Sequence, residues 1–230
     1  MNSGRPVVMA RGPGSMDPYH HLAEKDIMKK MLSQWSRFAV EQAMASDQDQ
    51  LISVMLQQIR SITGAPVAAF MGYNPLDNVL TLQKVDAPEA MLNLIVDKTG
   101  WQLHEVEVPV KDIREVPIRR WKSLHDATEG AVPADISRAV FLLTGIDRYI
   151  TVAHFLHEEF YGTSTIGLRS KQPDPTDEAL FFYAAVCATS FHRLEAEKKL
   201  LYERTRLKNI LAGTPRDLGM ECEEWGINRE

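Results

Sequence analysis

Residues 22–45 carry a helical pattern. Met28, Met31, Leu32, Trp35, Phe38 and Ala39 recur at spacings of three and four, with Gln42 in register, while Lys25, Lys29, Lys30, Arg37 and Glu41 occupy the other side. That period predicts an amphipathic helix with one apolar stripe. Ser46 and Asp47 read as a break and a new N-cap, with Asp49 acidic in the first turn. A second helix is expected over 48–62, with Leu51, Val54, Met55, Ile59 and Ile62 on its buried side and Gly64 as a left-handed C-terminal cap.

The period then changes. Residues 66–71 form a short continuous apolar run, as a central strand does. The turn at 74–78 (Asn-Pro-Leu-Asp-Asn) and the run from Val79 to Val85 complete a hairpin. Asp86 is expected to cap a third helix, with Pro88 in its first turn, Met91, Leu92 and Ile95 as its stripe and Gly100 at its end. Residues 101–110 alternate as a half-exposed strand. Residues 111–132 are polar and irregular, and a short helix follows over 134–143. A second hairpin comes from residues 148–156 and 163–168, with its turn expected at 158–162.

Asp174 to Glu178 reads as an acidic helix start, and no Gly or Pro then occurs before residue 213. In this last helix Leu180, Cys187, Leu194 and Leu201 fall seven apart, with Ala184 and Phe191 between them. Residues 179–191 are apolar on more than one side, so they pack on a sheet. Residues 195–208 are charged with one narrow seam, so they project.

Composition narrows the classes. The net charge of −5 and a pI near 5.8 supply no basic footprint, so nucleic acid is not an expected partner. No apolar run reaches the roughly 18 residues of a membrane span, so neither is a membrane. Two cysteines, Cys187 and Cys222, are too few for a disulfide framework and fit a reducing, cytoplasmic setting. Residues 1–21, rich in Gly, Pro and polar residues at their start, are expected to be a disordered tail.

Two segments now carry a resemblance. Leu51 to Phe70, in which a helix ends in Thr-Gly-Ala and passes into a strand, resembles the opening of a GAF domain. Glu159 to Leu168, with its Gly-x-small-x-Ile strand, followed by Asp177 to Arg193, resembles that family's closing strand and final helix. The resemblance covers about residues 47–195, and residues 86–145 match in element order only. PAS-like sensor domains are the related alternative. Arg206 to Pro215 weakly resembles the opening of a PAS domain, and 15 residues follow it.

The element order and the resemblance together imply an α/β (α+β) sandwich: an antiparallel GAF/PAS-like sheet with helices on one face. Its expected parts are the tail at 1–21, an N-terminal amphipathic helix at 22–46, the GAF-like sensor domain at 47–195, and a C-terminal signalling helix and tail at 196–230. The resemblance implies a cytoplasmic sensor that binds a small ligand between the sheet and the 86–145 segment and catalyses nothing. Phe70, Tyr149, Thr151, His154 and Thr165 lie on strands that would line the pocket. Only one face of each strand reaches it, so about half of the five should face away. The signal would pass along the terminal helices, whose apolar stripes suit a homodimer, to a downstream kinase or PAS partner.

Rival chemistry rests on few residues. Cys187 or His154 could hold haem or another tetrapyrrole, or act in redox sensing. Cys187, however, occupies a core-facing heptad position, and His154 lies with Ile150 and Val152. GAF-like methionine sulfoxide reductases use several cysteines in one pocket, which this pair does not match. His154 and His157 are three apart on a strand and point to opposite faces, a poor metal pair. His192 sits in His-Arg-Leu-Glu, which departs from the phosphoacceptor pattern of sensor kinases. Arg119, Arg120 and Lys122 form the one concentrated basic cluster, read either as an anion site or, preferably, as a solvated loop. A third reading leaves the pocket filled with large side chains, making the chain a dimerisation module without a ligand.

Overall fold

The computed structural model describes residues 33–101, 106–110, 113 and 115–211. The expected tail at 1–21, the start of the first helix, residues 102–105 and everything after 211 (Cys222 included) lie outside them. The chain divides into two units, Met1–Glu41 and Gln42–Glu230. Helix α1 is described over residues 33–43. In the first unit Trp35 meets Phe38 edge-on at 5.8 Å between ring centroids, and Arg37 Nε donates to Glu41 Oε1 at 2.7 Å.

The second unit starts from local signals. Asp47 Oδ1 accepts the Gln50 amide at 2.8 Å and opens α2 (Gln48–Thr63). Gly64, at φ +67, closes it by donating to the Arg60 carbonyl. The first hairpin is β1 (Val67–Asn74) and β2 (Val79–Asp86). Helix α3 spans Glu89–Thr99 and stops at Gly100, also left-handed. Its start differs from the sequence expectation. Asp86 is the last residue of β2, where its carboxylate pairs with Arg60 at 2.9 Å; Pro88 takes the N-cap position with no side-chain cap. The ion pair draws Asp86 into the sheet.

Of the strand expected at 101–110, β3 (Glu107–Pro109) is described, with Val106 and Val108 buried beside β2. The irregular stretch contains two elements that its periodicity hides, β4 (Ile118–Trp121) and α4 (Leu124–Ala127). Helix α5 (Ala134–Thr144) follows, then β5 (Ile146–Leu156), β6 (Glu159–Arg169) and α6 (Asp177–Leu211). The β5–β6 turn lies at residues 157–158, with His157 left-handed at φ +55, and is shorter than the expected 158–162. Gly162 belongs to β6. At φ +136 it crosses Gly72 of β1, and a Cβ there would fall on the Met71 carbonyl oxygen. Close strand approach, not a turn, demands this glycine.

All strand pairs are antiparallel, in the order β3-β2-β1-β6-β5-β4. Helices α2 and α6 pack on one face; α3, α4 and α5 lie on the other. Alternation assigns the residues: Phe70 stacks on Phe191 of α6 at 5.3 Å, so Ala69 and Met71 face the opposite side. The heptad positions Leu180, Cys187 and Leu194 are buried, whereas Leu201 is exposed, as are Leu200, Leu207 and Ile210. The seam is a core contact until α6 outruns the sheet.

Candidate functional site

Between the sheet and the 86–145 segment lies an apolar cavity of about 110 Å³. Its floor is Val67, Ala69 and Met71 of β1, Leu82 and Val85 of β2, Tyr149 of β5, and Thr165 and Gly167 of β6. Two register shifts shape it. Phe70 pairs with Lys84 and Met71 with Leu82, so Gln83 is an extra residue and both Leu82 and Val85 reach the cavity. A second irregularity between Ile146 and Arg148 likewise lets Ile146 and Tyr149 share that side. The apolar stripe of α3 (Met91, Leu92, Ile95) faces it from across the gap, and Leu124, Thr128, Val132 and Val140 wall it.

The five residues predicted for a pocket divide by face. Tyr149 and Thr165 line the cavity. Thr151 lies on the same face, its Oγ1 3.0 Å from Thr165 Oγ1 and accepting from Trp121 Nε1 at 3.2 Å. Phe70 and His154 face the helices instead: Phe70 stacks on Phe191, and His154 meets Tyr183 edge-on at 5.6 Å. Sequence reasoning missed Val67, Ala69 and Met71 because β1 is apolar on both faces. Sequence reasoning gives Met91, Leu92 and Ile95 as the apolar stripe of their helix and does not name them as lining; their isolation on one side of a short helix was the available signal.

Behind the floor runs a buried polar chain. Tyr183 Oη donates to the Met55 carbonyl at 3.2 Å, which spends its hydrogen. Ser164 Oγ, 3.2 Å away, therefore donates to Tyr183, and His154 Nε2, 2.8 Å from Ser164 Oγ, donates in turn. This polarity makes His154 the neutral Nε2–H tautomer. Burial drives its pKa down to about 4, with the Ala184 backbone opposing more weakly, so it stays neutral at pH 7. Cys187 is fully buried too, and burial pushes its thiol up to about 12, the reverse of what a reactive or ligating thiolate requires. Neither residue lines the cavity.

Three of the remaining candidates, His192, Arg119 and Arg120, have structural partners. His157 is exposed in its turn. His192 Nδ1 lies 2.9 Å from Glu159 Oε2 and 3.1 Å from Tyr161 Oη. The basic cluster is not a solvated loop: Arg119 and Arg120 lie in β4, where Arg120 pairs with Asp177 at 2.6 Å and Arg119 with Glu129 at 3.8 Å. Among the described residues, no three His, Cys, Asp or Glu side chains group as metal ligands, and no helix is long and apolar enough to cross a membrane.

No protein-family model and no curated protein sequence matches the chain. Solved structures do. The GAF domain of an Acinetobacter phosphoenolpyruvate-protein phosphotransferase is 10% identical with a TM-score of 0.52, over 73% of this chain and 95% of that one. A bacteriophytochrome of R. palustris is 12% identical (TM-score 0.56), and its chromophore-binding domain 11% identical (0.52). The match covers 87% and 81% of this chain, respectively, and 44% and 65% of those chains. At such identities the likeness is one of fold. The architecture is that of an α+β sandwich. In particular, it is the GAF fold: a six-stranded antiparallel sheet closed by a long C-terminal helix.

Proposed function

We propose that this chain is a cytoplasmic signal-sensing module, in which a small ligand enters the cavity and α6 carries the response onward without catalysis. The observation that carries the reading is the placement of Thr165 and Ser164. Thr165 lines the cavity, while its neighbour Ser164 reaches Tyr183 of α6 through the other face of the same strand. A ligand that moves β6 by a few tenths of an ångström therefore works directly on α6. It biases the two states only by its differential affinity for them.

The response leaves through the exposed stripe of Leu200, Leu207 and Ile210, which suits a parallel homodimer and a downstream kinase or PAS-containing partner. The chromophore-binding and phosphotransferase-linked neighbours support a place in signalling. A haem or redox reading gains nothing from Cys187 and His154, which lie behind the floor. Native mass spectrometry and an absorbance spectrum of the protein from its own host test the proposal. A bound mass that leaves when Ala69 is enlarged to Leu is the expected result. A protein that is apo under every condition, and whose helix packing no added compound alters, overturns it.

A further inference from the structure

The cavity's lining narrows what it can hold. None of the described lining residues is Asp, Glu, Lys, Arg or His, and Tyr149 is the one titratable side chain among them. Burial, with Asp147 adding to it, pushes the Tyr149 phenol far above its ordinary range, so it brings no charge at pH 7. The two threonine hydroxyls of the lining are already engaged. Thr165 Oγ1 is paired with Thr151; Thr128 Oγ1 donates to the Leu124 carbonyl at 2.8 Å and accepts the Val132 amide at 3.1 Å. A charged guest would lose its hydration and find no opposite charge here. Water fares little better, since it needs two to four polar partners and apolar cavities of this size stay dry.

Size sets the second limit. An engineered apolar cavity of about 150 Å³ takes benzene or xenon, and this one measures about 110 Å³. Helix α3 gives it some room to adjust: its close backbone contacts are with α5, and across from Met91, Leu92 and Ile95 lies the cavity. A stripe facing a void forgoes dispersion contacts that a guest restores.

We infer that the cavity takes a small uncharged hydrophobic molecule of about six to eight heavy atoms, an aromatic or branched hydrocarbon core with at most one polar atom. The inference rests on the sensor reading and names the chemical class of its ligand. Binding seats the guest between Ala69 and Met71 of the floor and the α3 stripe.

The test uses the full chain in thermal unfolding with benzene and p-xylene, against benzoate and benzylammonium as charged counterparts. Benzene should raise Tm by about 3–5 °C at tenfold its Kd, saturably, with the charged pair inert. Ala69→Leu, which fills the floor, should abolish the shift. Val140→Ala, which enlarges the wall, should favour p-xylene over benzene and keeps the test sound should Ala69→Leu fail to fold. No saturable shift with either neutral probe, or equal shifts with benzoate, overturns the inference. A charged bound mass seen natively, with benzene inert, overturns the ligand class and leaves the sensor reading standing. A cavity empty in both experiments overturns both.

Discussion

Gln42 Nε2 donates to Gln58 Oε1 at 2.7 Å in a buried layer beside α2 and α6. The same amide completes itself on α6: Nε2 lies 3.6 Å from Cys187 Sγ, and Oε1 accepts from Ser190 Oγ at 3.0 Å. Arg193 Nη2 then holds the Gln42 and Ala45 carbonyls at 3.3 and 2.9 Å. One side chain thus joins α2 and α6, because an amide both donates and accepts. Gln42→Ala should lower unfolding stability by about 2–3 kcal/mol, since it removes several buried hydrogen bonds at once and leaves a void in their place. Urea denaturation reads this as a lower midpoint at unchanged slope. A midpoint equal to wild type would remove the amide from the account.

Gly162 is the second sensitive position. Gly162→Ala adds a Cβ where the Met71 carbonyl already stands, at a backbone angle that alanine resists. The expected cost is about 3 kcal/mol, or loss of soluble protein. Gly100→Ala gives a milder control, because no atom lies within 4 Å of its Cβ position. Circular-dichroism melting of the pair separates steric closure from conformational freedom.

His154 makes the fold sensitive to acid in one direction. Its folded pKa, about 4, lies below the ordinary 6.5, so the unfolded chain is the better proton acceptor. The stabilisation is therefore complete above pH 6.5 and drains as pH falls from 6.5 towards 4. For this fully buried ring it amounts to about 3 kcal/mol. Comparing wild type with His154→Phe by urea denaturation at pH 7 and pH 4.5 isolates the residue. The stability difference should shift in the variant's favour at the lower pH, and an unchanged difference would contradict the buried neutral ring.

Cys187 should be inert while the protein is folded. In a Cys222→Ser background, a thiol reagent at pH 8 should leave Cys187 unlabelled until urea passes the unfolding midpoint. Labelling in minutes under native conditions would mean that α6 opens locally.

The projecting part of α6 predicts association. Leu200→Glu together with Leu207→Glu should convert a dimer to a monomer in sedimentation equilibrium and leave Tm of the domain within a few degrees. Both side chains are exposed, at 71% and 57%, so the core does not depend on them. An unchanged mass would move any interface elsewhere.

Much of the architecture was legible locally. The Asp47 cap, the Gly64 and Gly100 stops and the unbroken run after Asp177 are decided by neighbours within four residues, and the structure keeps them. β4 was not legible, since four residues reading Ile-Arg-Arg-Trp carry no apolar alternation. It is a strand because Arg120 finds Asp177, Trp121 finds Thr151, and β5 supplies the ladder. Asp86 misled for the same reason: an acidic residue before a helix signals a cap unless a distant arginine claims it.

The sequence by itself determined where the helices stop, that two hairpins share a sheet, and that the last helix is core for half its length and free beyond. Which face of the sheet became a cavity was decided only in three dimensions. β1, β5 and β6 are covered on both sides, so apolar and small residues occupy both parities and the pattern gives no contrast. Docking of Phe191 and Tyr183 on Phe70, His154 and Ser164 settled that face as core. Two register shifts turned Val85 and Ile146 towards the other side, where α3 stands off the sheet and leaves room.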